Sequence, residues 1–373
     1  MISTSVSIAF VGDIMPGGIL HGKSSGISND IKRYLGSFNL RVGTLECAIG
    51  NEPNFDPIKM NLKQDVIYAP NCDLDKLKEI NINLVSLANN HAFDLGLEGL
   101  INTMNQLESV GIVHIGAGRN ISEASKPAVF TINGIKIGFI ALCDFRDETV
   151  GYVPIATATS PGMNSIKDET YIKQITTLKS EVDFLYVIIH WGVEHSFWPT
   201  IHTINVARKI IKAGADGIIG GHQHRIQPFI KIKGKPVFFG LGNFLFPPRF
   251  LRPPRPMYYP APNEDTSNYP ITDGYPWIEK PTYKIWKKLG KIGEIASIKI
   301  KNSHQDCTYK LVGSNLDNKI NFIPQNALGL RNQIEYNIAK ISVSFGCHKY
   351  FYYPTLFSFK ILRKIINNLK VSR

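Results

Sequence analysis

The sequence predicts an α/β fold in which two packed mixed sheets carry helices on their outer faces. Short apolar runs of strand length alternate with segments of helical period along residues 5–246. Two short turns, at Asn133-Gly134 and at Lys233-Gly234, separate apolar runs and predict hairpins. The composition is 43% hydrophobic and 19% charged, which is enough to bury a full core and excludes a disordered chain.

The predicted elements follow in chain order. The strands, each a short apolar run, are 5–12, 40–46, 83–88, the hairpin 131–142, 182–189, 217–220 and the hairpin 229–242. The helices, each with apolar residues three or four positions apart, are 73–80, 96–110, 165–179 and 200–213.

Composition divides the chain into three predicted segments. Residues 1–246 hold the alternating pattern, and residues 247–291 are rich in Pro and Tyr and predict a long loop or flap. Residues 292–373 predict a basic extension that packs on the domain, with two strands in 292–313 and a basic amphipathic helix over 356–370. The formal net charge is +12, and residues 231–373 contain 23 Lys and Arg against 8 Asp and Glu. That basicity suits an anionic polymer, an anionic membrane surface or simply solvent.

Localisation is predicted from the cysteines and the N-terminus. The five cysteines are widely spaced and form no CxxC pair, which argues against a disulfide framework or a zinc ribbon. Residues 1–13 contain no basic residue, so they predict a first strand rather than a signal peptide. We therefore expect a cytoplasmic protein, or one held at the inner membrane face by the helix 356–370.

Five segments each place a metal-ligand side chain where an apolar strand is followed by a loop. The candidate ligands are Asp13, Glu46, Asn90, His190, His222 and His224. Loops at the carboxyl ends of strands project side chains toward one edge of a sheet. A mixed set of carboxylate, amide and imidazole suits Mn, Zn or Fe, in one or two ions, better than Ca or Mg.

Each of these residues also has an ordinary structural interpretation when it is taken alone. Asp13 could cap a turn, Glu46 could be a surface acid, and His190 could be a core histidine. The pair His222 and His224 is the most specific, because two residues two positions apart on an extended segment face the same side.

Together these motifs resemble the bacterial capsule synthesis proteins of the poly-γ-glutamate type (CapA-like, PGA_cap), within the calcineurin-like metallophosphoesterase superfamily. The motifs are, over residues 6–246, Gly12-Asp13-Ile-Met, Leu45-Glu46, Val85-Ser-Leu-Ala-Asn-Asn-His91-Ala-Phe-Asp94-Leu-Gly96, Gly116-Ala-Gly118, His190-Trp-Gly192-Val-Glu194, Gly214-Ala-Asp216, Gly221-His-Gln-His224 and Leu241-Gly-Asn-Phe244.

The resemblance implies a four-layer α/β/β/α sandwich with a metal centre at one edge. It implies that Asp13 and His224 hold one metal, that Asn90, His190 and His222 hold the other, and that Glu46 bridges the two. It also implies that His91 protonates the leaving group, and we include Asp94 and Arg225 as further candidate catalytic residues.

Two positions depart from the superfamily pattern. Met15 stands where the first motif, Asp-x-His, has a histidine, and the bridging position holds Glu46 instead of aspartate. Thioether is a poor ligand for a hard ion, so the first metal is expected to be weak or absent.

The leading hypothesis is a metal-dependent hydrolase linked to capsule or surface-polymer biosynthesis. The alternatives are a phosphatase or phosphodiesterase on a small substrate, and a non-catalytic scaffold that binds a polymer or a synthase. Expected partners are an anionic polymer or a phosphorylated substrate, together with a membrane-associated synthase or an anionic membrane. No specific nucleic acid is expected.

Overall fold

The computed structural model of the chain describes residues 5–50, 66–144 and 153–344, apart from short gaps at 168, 248, 253–254, 257–264, 273, 280–281, 286–287, 303, 316 and 329. The predicted helix 356–370 lies outside the described residues. Among those that are described, no helix is both long enough and apolar enough to cross a membrane.

The helices of the described residues pack around two large sheets. They are α1 (Asn29–Gly36), α2 (Asp75–Lys78), α3 (Gly96–Ser109), α4 (Ile121–Ala124), α5 (Thr170–Lys179), α6 (Ile201–Lys212) and α7 (Leu330–Ser344). Short polar side chains begin several of them. The Ser28 hydroxyl accepts from the Ile31 N–H before α1, and the Thr200 hydroxyl accepts from the Thr203 N–H before α6.

The strands of the two large sheets, in chain order, are β1 (Ser5–Ile14), β2 (Leu40–Leu45), β3 (Leu84–Ser86), β4 (Val113–Ile115), β5 (Ala128–Ile132), β6 (Ile135–Asp144), β7 (Phe184–Trp191), β8 (Gly217–Gly221), β9 (Phe229–Ile232), β10 (Lys235–Phe238), β11 (Asn243–Leu245), β12 (Ile292–Lys301), β13 (His304–Ser314) and β14 (Ile320–Phe322). Shorter strands are Ala48–Ile49, Tyr68–Ala69, Ala117–Gly118, Gly162–Met163, Arg249–Arg252, Arg255–Pro256, Ile271–Thr272, Tyr275–Ile278 and Thr282–Ile285.

The first sheet has the order β14-β13-β12-β1-β2-β3-β4, and β11 pairs with the end of β1. The strands β1 to β4 and β11 run parallel, whereas β12 to β14 are antiparallel. The second sheet has the order β9-β10-β8-β7-β6-β5, with parallel pairing from β6 to β10. Parallel pairing brings the carboxyl ends of neighbouring strands to one edge of each sheet.

The two sheets pack against each other through aromatic side chains. The ring centroid of Phe10 in β1 lies 6.2 Å from that of Phe139 in β6 and 5.6 Å from that of Tyr186 in β7. Along β7, Tyr186 and Ile188 belong to the cluster between the sheets, whereas Leu185, Val187 and Ile189 pack with the helices α5 and α6. This alternation is the two-residue period of a strand that is buried on both faces.

Most of the predicted elements are confirmed, and both hairpins turn where the sequence places them. Asn133 and Gly134 join β5 to β6 with φ values of 52° and 79°, the left-handed conformation that a two-residue hairpin requires. The prediction for 165–179 was too long, because α5 begins only at Thr170.

The sequence predicts a long loop or flap over 247–291, and the described part of that segment contains paired strands. Its described residues form five short strands, which pair as a two-stranded and a three-stranded sheet. Pro256 sits at the end of a two-residue strand, a position where a missing N–H removes little of the pairing. The division of the chain at 246 and 291 stays a prediction, and β12 to β14 join the first sheet directly.

Candidate metal centre

A β-bulge turns Asp13 toward the second sheet. Phe10 pairs with Val42 and Asp13 pairs with Thr44, so between these pairs two residues of β1 stand opposite one residue of β2. The extra residue places Asp13 on the face that Phe10 occupies, which strict alternation would have given to Gly12. A Cβ on Gly12 would lie 1.9 Å from the carbonyl oxygen of residue 242, so only glycine fits beside the aspartate.

The other candidate ligands reach the same edge from the ends of their own strands. Glu46 follows β2, and Asn90 follows β3 by four residues. His190 lies one residue before the end of β7, on the face shared with Tyr186 and Ile188, and its partner in the register of β8 is Gly221. The carboxyl ends of strands from both sheets therefore meet at this cluster.

His222 and His224 follow β8 in a backbone that is not extended. Their φ values are 96° and 49°, the left-handed region that non-glycine residues seldom occupy. The prediction that they face one side because the segment is extended is therefore wrong. The left-handed turn instead brings their ring centroids to 6.5 Å from each other, and such strain is common at functional sites.

The distances divide the cluster into two overlapping groups. Ligand atoms of Glu46, His190 and His222 all lie within 4.8 Å of one another, and so do those of Asp13, Glu46 and His224. Within the first group, His190 Nε2 lies 3.2 Å from Glu46 Oε1 and 3.0 Å from Asn90 Oδ1. Glu46 belongs to both groups, which is the position that a bridging carboxylate needs.

The electrostatics of the cluster favour a cation. Burial and the neighbouring Glu46 raise the pKa of Asp13 well above its usual range. Burial raises the pKa of Glu46 to about 7, against the opposing influence of His224. Burial, helped by the neighbouring imidazoles, lowers the pKa of both His190 and His222, so both rings stay neutral and keep a lone pair for a ligand.

The residues present fit a divalent ion. Asp13 Oδ1 and Glu46 Oε2 are buried and have no hydrogen-bond partner among the described residues. A buried carboxylate oxygen without a donor is costly, and a metal ion satisfies it while using the neutral imidazoles as further ligands. The donor set of carboxylate, amide and imidazole suits Mn, Zn or Fe. The structure therefore contains groups that could bind a metal.

His91 and Asp94 form a pair next to this cluster. His91 Nδ1 lies 2.7 Å from Asp94 Oδ2, and that oxygen also accepts a hydrogen bond from the Ile67 N–H at 2.6 Å. The Asp94 side chain is completely buried, whereas the His91 side chain is 7% exposed. The carboxylate thus fixes the ring through Nδ1 and leaves Nε2 for another partner.

Arg225 and Met15 are both buried and have their own contacts. The Arg225 guanidinium carbon lies 5.1 Å from the ring centroid of Phe197. Met15 Sδ accepts a hydrogen bond from the Gly17 N–H at 3.2 Å and belongs to neither ligand group.

Two asparagines hold candidate site residues in place, although the sequence alone gave neither of them a functional role. Asn243 Oδ1 lies 2.9 Å from His224 Nδ1, and its amide nitrogen donates to the Gly290 carbonyl oxygen. Asn89 accepts from the His91 N–H and donates to the Leu45 carbonyl, which ties the loops after β2 and β3 together. The motif Leu241-Gly-Asn-Phe244 contained the signal for Asn243, since an amide at the start of a strand beside metal ligands suits a positioning role.

The family model described as bacterial capsule synthesis protein PGA_cap matches residues 7–248, a range that includes every candidate site residue. The PGA biosynthesis protein CapA of Bacillus subtilis (strain 168) is 28% identical over 247 residues, which cover 65% of this chain and 63% of that protein. The capsule biosynthesis protein CapA of Bacillus anthracis is 28% identical over 256 residues, which cover 65% of this chain and 60% of that protein.

The match thus spans about three fifths of the length of these two curated relatives. A hypothetical protein from Thermus thermophilus, known from its crystal structure, is similar at a TM-score of 0.45 and 12% identity, covering 82% of this chain and 98% of that chain.

Proposed function

The chain belongs to the bacterial capsule synthesis protein PGA_cap family, and from this premise we propose that it is a metal-dependent hydrolase in the biosynthesis of a capsule or other surface polymer. The family expected from the motifs is thereby confirmed. The observation that carries the proposal is the sharing of Glu46 between two groups of potential ligands. Our proposal assigns Asp13 and His224 to one ion, and Asn90, His190 and His222 to the other.

The reaction that we propose is hydrolysis of a bond in an anionic polymer or its precursor, either poly-γ-glutamate or a polysaccharide. A bound divalent ion would polarise the substrate and make hydroxide available near neutral pH. The chain itself supplies the proton. Because Asp94 holds Nδ1 of His91, Nε2 of the protonated ring faces the substrate and donates to the leaving group.

Arg225 is proposed to bind an anionic group of the substrate. Its guanidinium is stacked near the Phe197 ring, which restricts the side chain before substrate arrives. A planar, permanently charged group of this kind suits a carboxylate or a phosphate equally well.

The fold is proposed to be the four-layer α/β/β/α sandwich of the superfamily. In support, aromatic rings pack between the two sheets, and α5 and α6 cover the other face of the second sheet. Side chains of α1 and α3 belong to the core cluster of the first sheet.

Metal analysis and hydrolysis assays on one preparation test the proposed function. The purified protein is analysed for Mn, Zn and Fe, and is then assayed on γ-linked glutamyl peptides and on a panel of phosphoesters. We expect His91→Ala to lose turnover while keeping its metal. His114→Ala serves as the matched control, because His114 lies in β4 and contacts Glu108.

The outcomes separate the hypotheses. Turnover of phosphoesters alone would favour a phosphatase or phosphodiesterase. Polymer binding without turnover, unchanged in His91→Ala, would favour a scaffold and overturn the hydrolase proposal.

The basic C-terminal segment is proposed to attach the protein to an anionic membrane, either at the cytoplasmic face of the inner membrane or beside a synthase. Residues 356–370 combine apolar side chains at helical spacing with Lys360, Arg363, Lys364 and Lys370. Each basic residue near an anionic leaflet adds about 1 kcal/mol, screened by salt.

Co-sedimentation with phosphatidylserine vesicles tests this attachment. Binding that falls with salt and disappears when the chain is truncated after Pro354 would support it. If the full chain does not bind the vesicles at low salt, the proposal fails.

A further inference from the structure

A further completely buried carboxylate lies outside the candidate metal centre. Glu294 in β12 has 0% of its surface exposed, and within the described part of the chain neither of its carboxylate oxygens has a hydrogen-bond partner. Burial raises the pKa of Glu294, whereas the nearby Lys340 lowers it. A buried ionisable group with no hydrogen-bond donor is costly, so its presence calls for an explanation.

Glu294 lines a cavity of about 290 Å³. The walls come from β12, β13, the segment after the metal centre, the 3-10 turn Gln325–Leu328 and α7. Tyr336 and Lys340 lie four residues apart on α7 and therefore share the face that lines the cavity. Both the cavity and the unpartnered carboxylate point to a ligand, and they are independent observations.

The tyrosines of this cavity already have partners. The hydroxyl groups of Tyr309 and Tyr336 are hydrogen-bonded to each other. The Tyr336 hydroxyl also accepts from the Phe229 N–H at 3.2 Å. They form a fixed wall, and Glu294 and Lys340 are the charged groups that remain to meet a ligand.

The two charges of the cavity are not joined by a hydrogen bond in the described structure. Lys340 Nζ lies 6.0 Å from the ring centroid of Phe229, and the Glu294 oxygens accept from no donor among the residues described. A simple cation would be attracted by Glu294 but repelled by Lys340, and a simple anion would meet the reverse. A molecule that carries both an ammonium and a carboxylate satisfies both groups.

We propose that this cavity binds a small zwitterion of the amino-acid class, with its ammonium against Glu294 and its carboxylate against Lys340. The cavity volume lies at the lower end of ordinary ligand pockets, so it suits one amino acid rather than a length of polymer. The site does not use any candidate metal ligand, so it stands or falls separately from the proposed hydrolase activity.

Calorimetric titration of the full chain tests the proposal, with the free L-amino acids as probes. Butylamine, which carries only the ammonium, and butyrate, which carries only the carboxylate, represent the two halves of an amino acid. We expect at least one amino acid to bind with a Kd of about 1 mM or tighter. Each half should bind at least about tenfold more weakly, because it leaves one charge of the cavity unpaired. His222→Ala should bind the amino acid normally, which separates this site from the metal centre.

Two variants test whether Glu294 and Lys340 are the charged groups that bind the amino acid. Glu294→Gln and Lys340→Met should each weaken binding by about tenfold or more. Lys299→Met is the matched control for the lysine, since Lys299 is exposed on the same strand as Glu294. Circular dichroism checks that each variant is folded, and Lys340→Met remains informative if Glu294→Gln does not fold.

Three results would overturn the proposal. The first is that no amino acid shows binding at concentrations up to about ten times that Kd. The second is that butylamine binds as tightly as any amino acid. The third is that a folded Glu294→Gln or Lys340→Met keeps the affinity of the wild type.

Discussion

Glu46 and Glu294 are both completely buried carboxylates, yet their surroundings differ in kind. Glu46 lies 3.2 Å from His190 Nε2 and 3.6 Å from His224 Nε2. Glu294 has no imidazole among the described residues that line its cavity, and its charged neighbour is Lys340. Burial raises the pKa of both carboxylates.

Burial alone therefore does not identify the ligand of a carboxylate. A raised pKa says only that the charged form is poorly solvated. Neutral imidazoles beside Glu46 add lone pairs, and lone pairs converging with carboxylates are what a metal ion requires. A lysine beside Glu294 adds donors and positive charge, which oppose a metal ion and suit a zwitterion.

Loss of one imidazole from the Glu46 cluster should deplete the bound metal. His222→Ala should lower the bound metal more than about tenfold while the fold stays intact, because His222 is in the group that includes Glu46 and His190. Metal content is measured by elemental analysis and the fold by circular dichroism. The control is His114→Ala, and normal metal content in His222→Ala would refute the assignment of this ligand.

Much of this cluster could be predicted because its members follow local patterns. Each candidate ligand stands at the end of an apolar run, and parallel strands bring such ends to one edge. Asn133-Gly134 likewise specified a hairpin, because few dipeptides tolerate the left-handed turn. These features depend on residues that are close in the chain.

Other features depend on tertiary contacts and could not be predicted. The bulge before Asp13 depends on the register with β2, and the left-handed φ of His222 and His224 depends on packing around β8. Glu294 stands in an apolar strand, Ile-Gly-Glu-Ile-Ala, where alternation allows either face. The Glu294 side chain lines a cavity because α7 packs over that face of the strand.

Metal affinity should also fall when the Glu46 cluster is disturbed without removal of a candidate ligand. A Cβ on Gly221 would lie 2.7 Å from Asp13 Oδ1 and 3.3 Å from His190 Nδ1. Gly221→Ala should therefore lower metal affinity by about tenfold, because both ligands must move. Gly36→Ala is the control, since a Cβ there meets nothing within 4 Å among the described residues. Equal metal affinity in both variants would show that the cluster tolerates the displacement.

Glu294 should make the free energy of unfolding depend on pH. A raised pKa means that the folded state binds more protons than the unfolded state, so the free energy of unfolding falls as pH rises above the ordinary value of 4.5. The groups facing Glu294 are Lys340 from α7, which opposes this effect, and the hydroxyls of Tyr309 and Tyr336.

In the ligand-free protein, Glu294→Gln should remove this fall in the free energy of unfolding with rising pH. At pH 8 we expect its free energy of unfolding to exceed that of the wild type by about 1 kcal/mol, because the variant has no carboxyl group whose ionisation is opposed by burial. The difference should shrink as pH falls toward 4.5. Urea unfolding at several pH values measures it. A variant that is less stable than the wild type at pH 8 would mean that the carboxylate gains net stability from Lys340.

The smallest expected effect comes from completing the Asp13 side of the cluster. Asp13, Glu46 and His224 form a group without a side chain from position 15, where Met15 has its sulfur on the Gly17 N–H. Imidazole is a better ligand than thioether for Mn, Zn or Fe, so Met15→His should raise the metal content toward two ions per chain. Elemental analysis of protein saturated with metal measures the change, and Met15→Leu controls for loss of the sulfur alone. An unchanged content in Met15→His would mean that the new ring stays near Gly17 or that another group already completes the site, and Met15 would then not limit the number of ions bound.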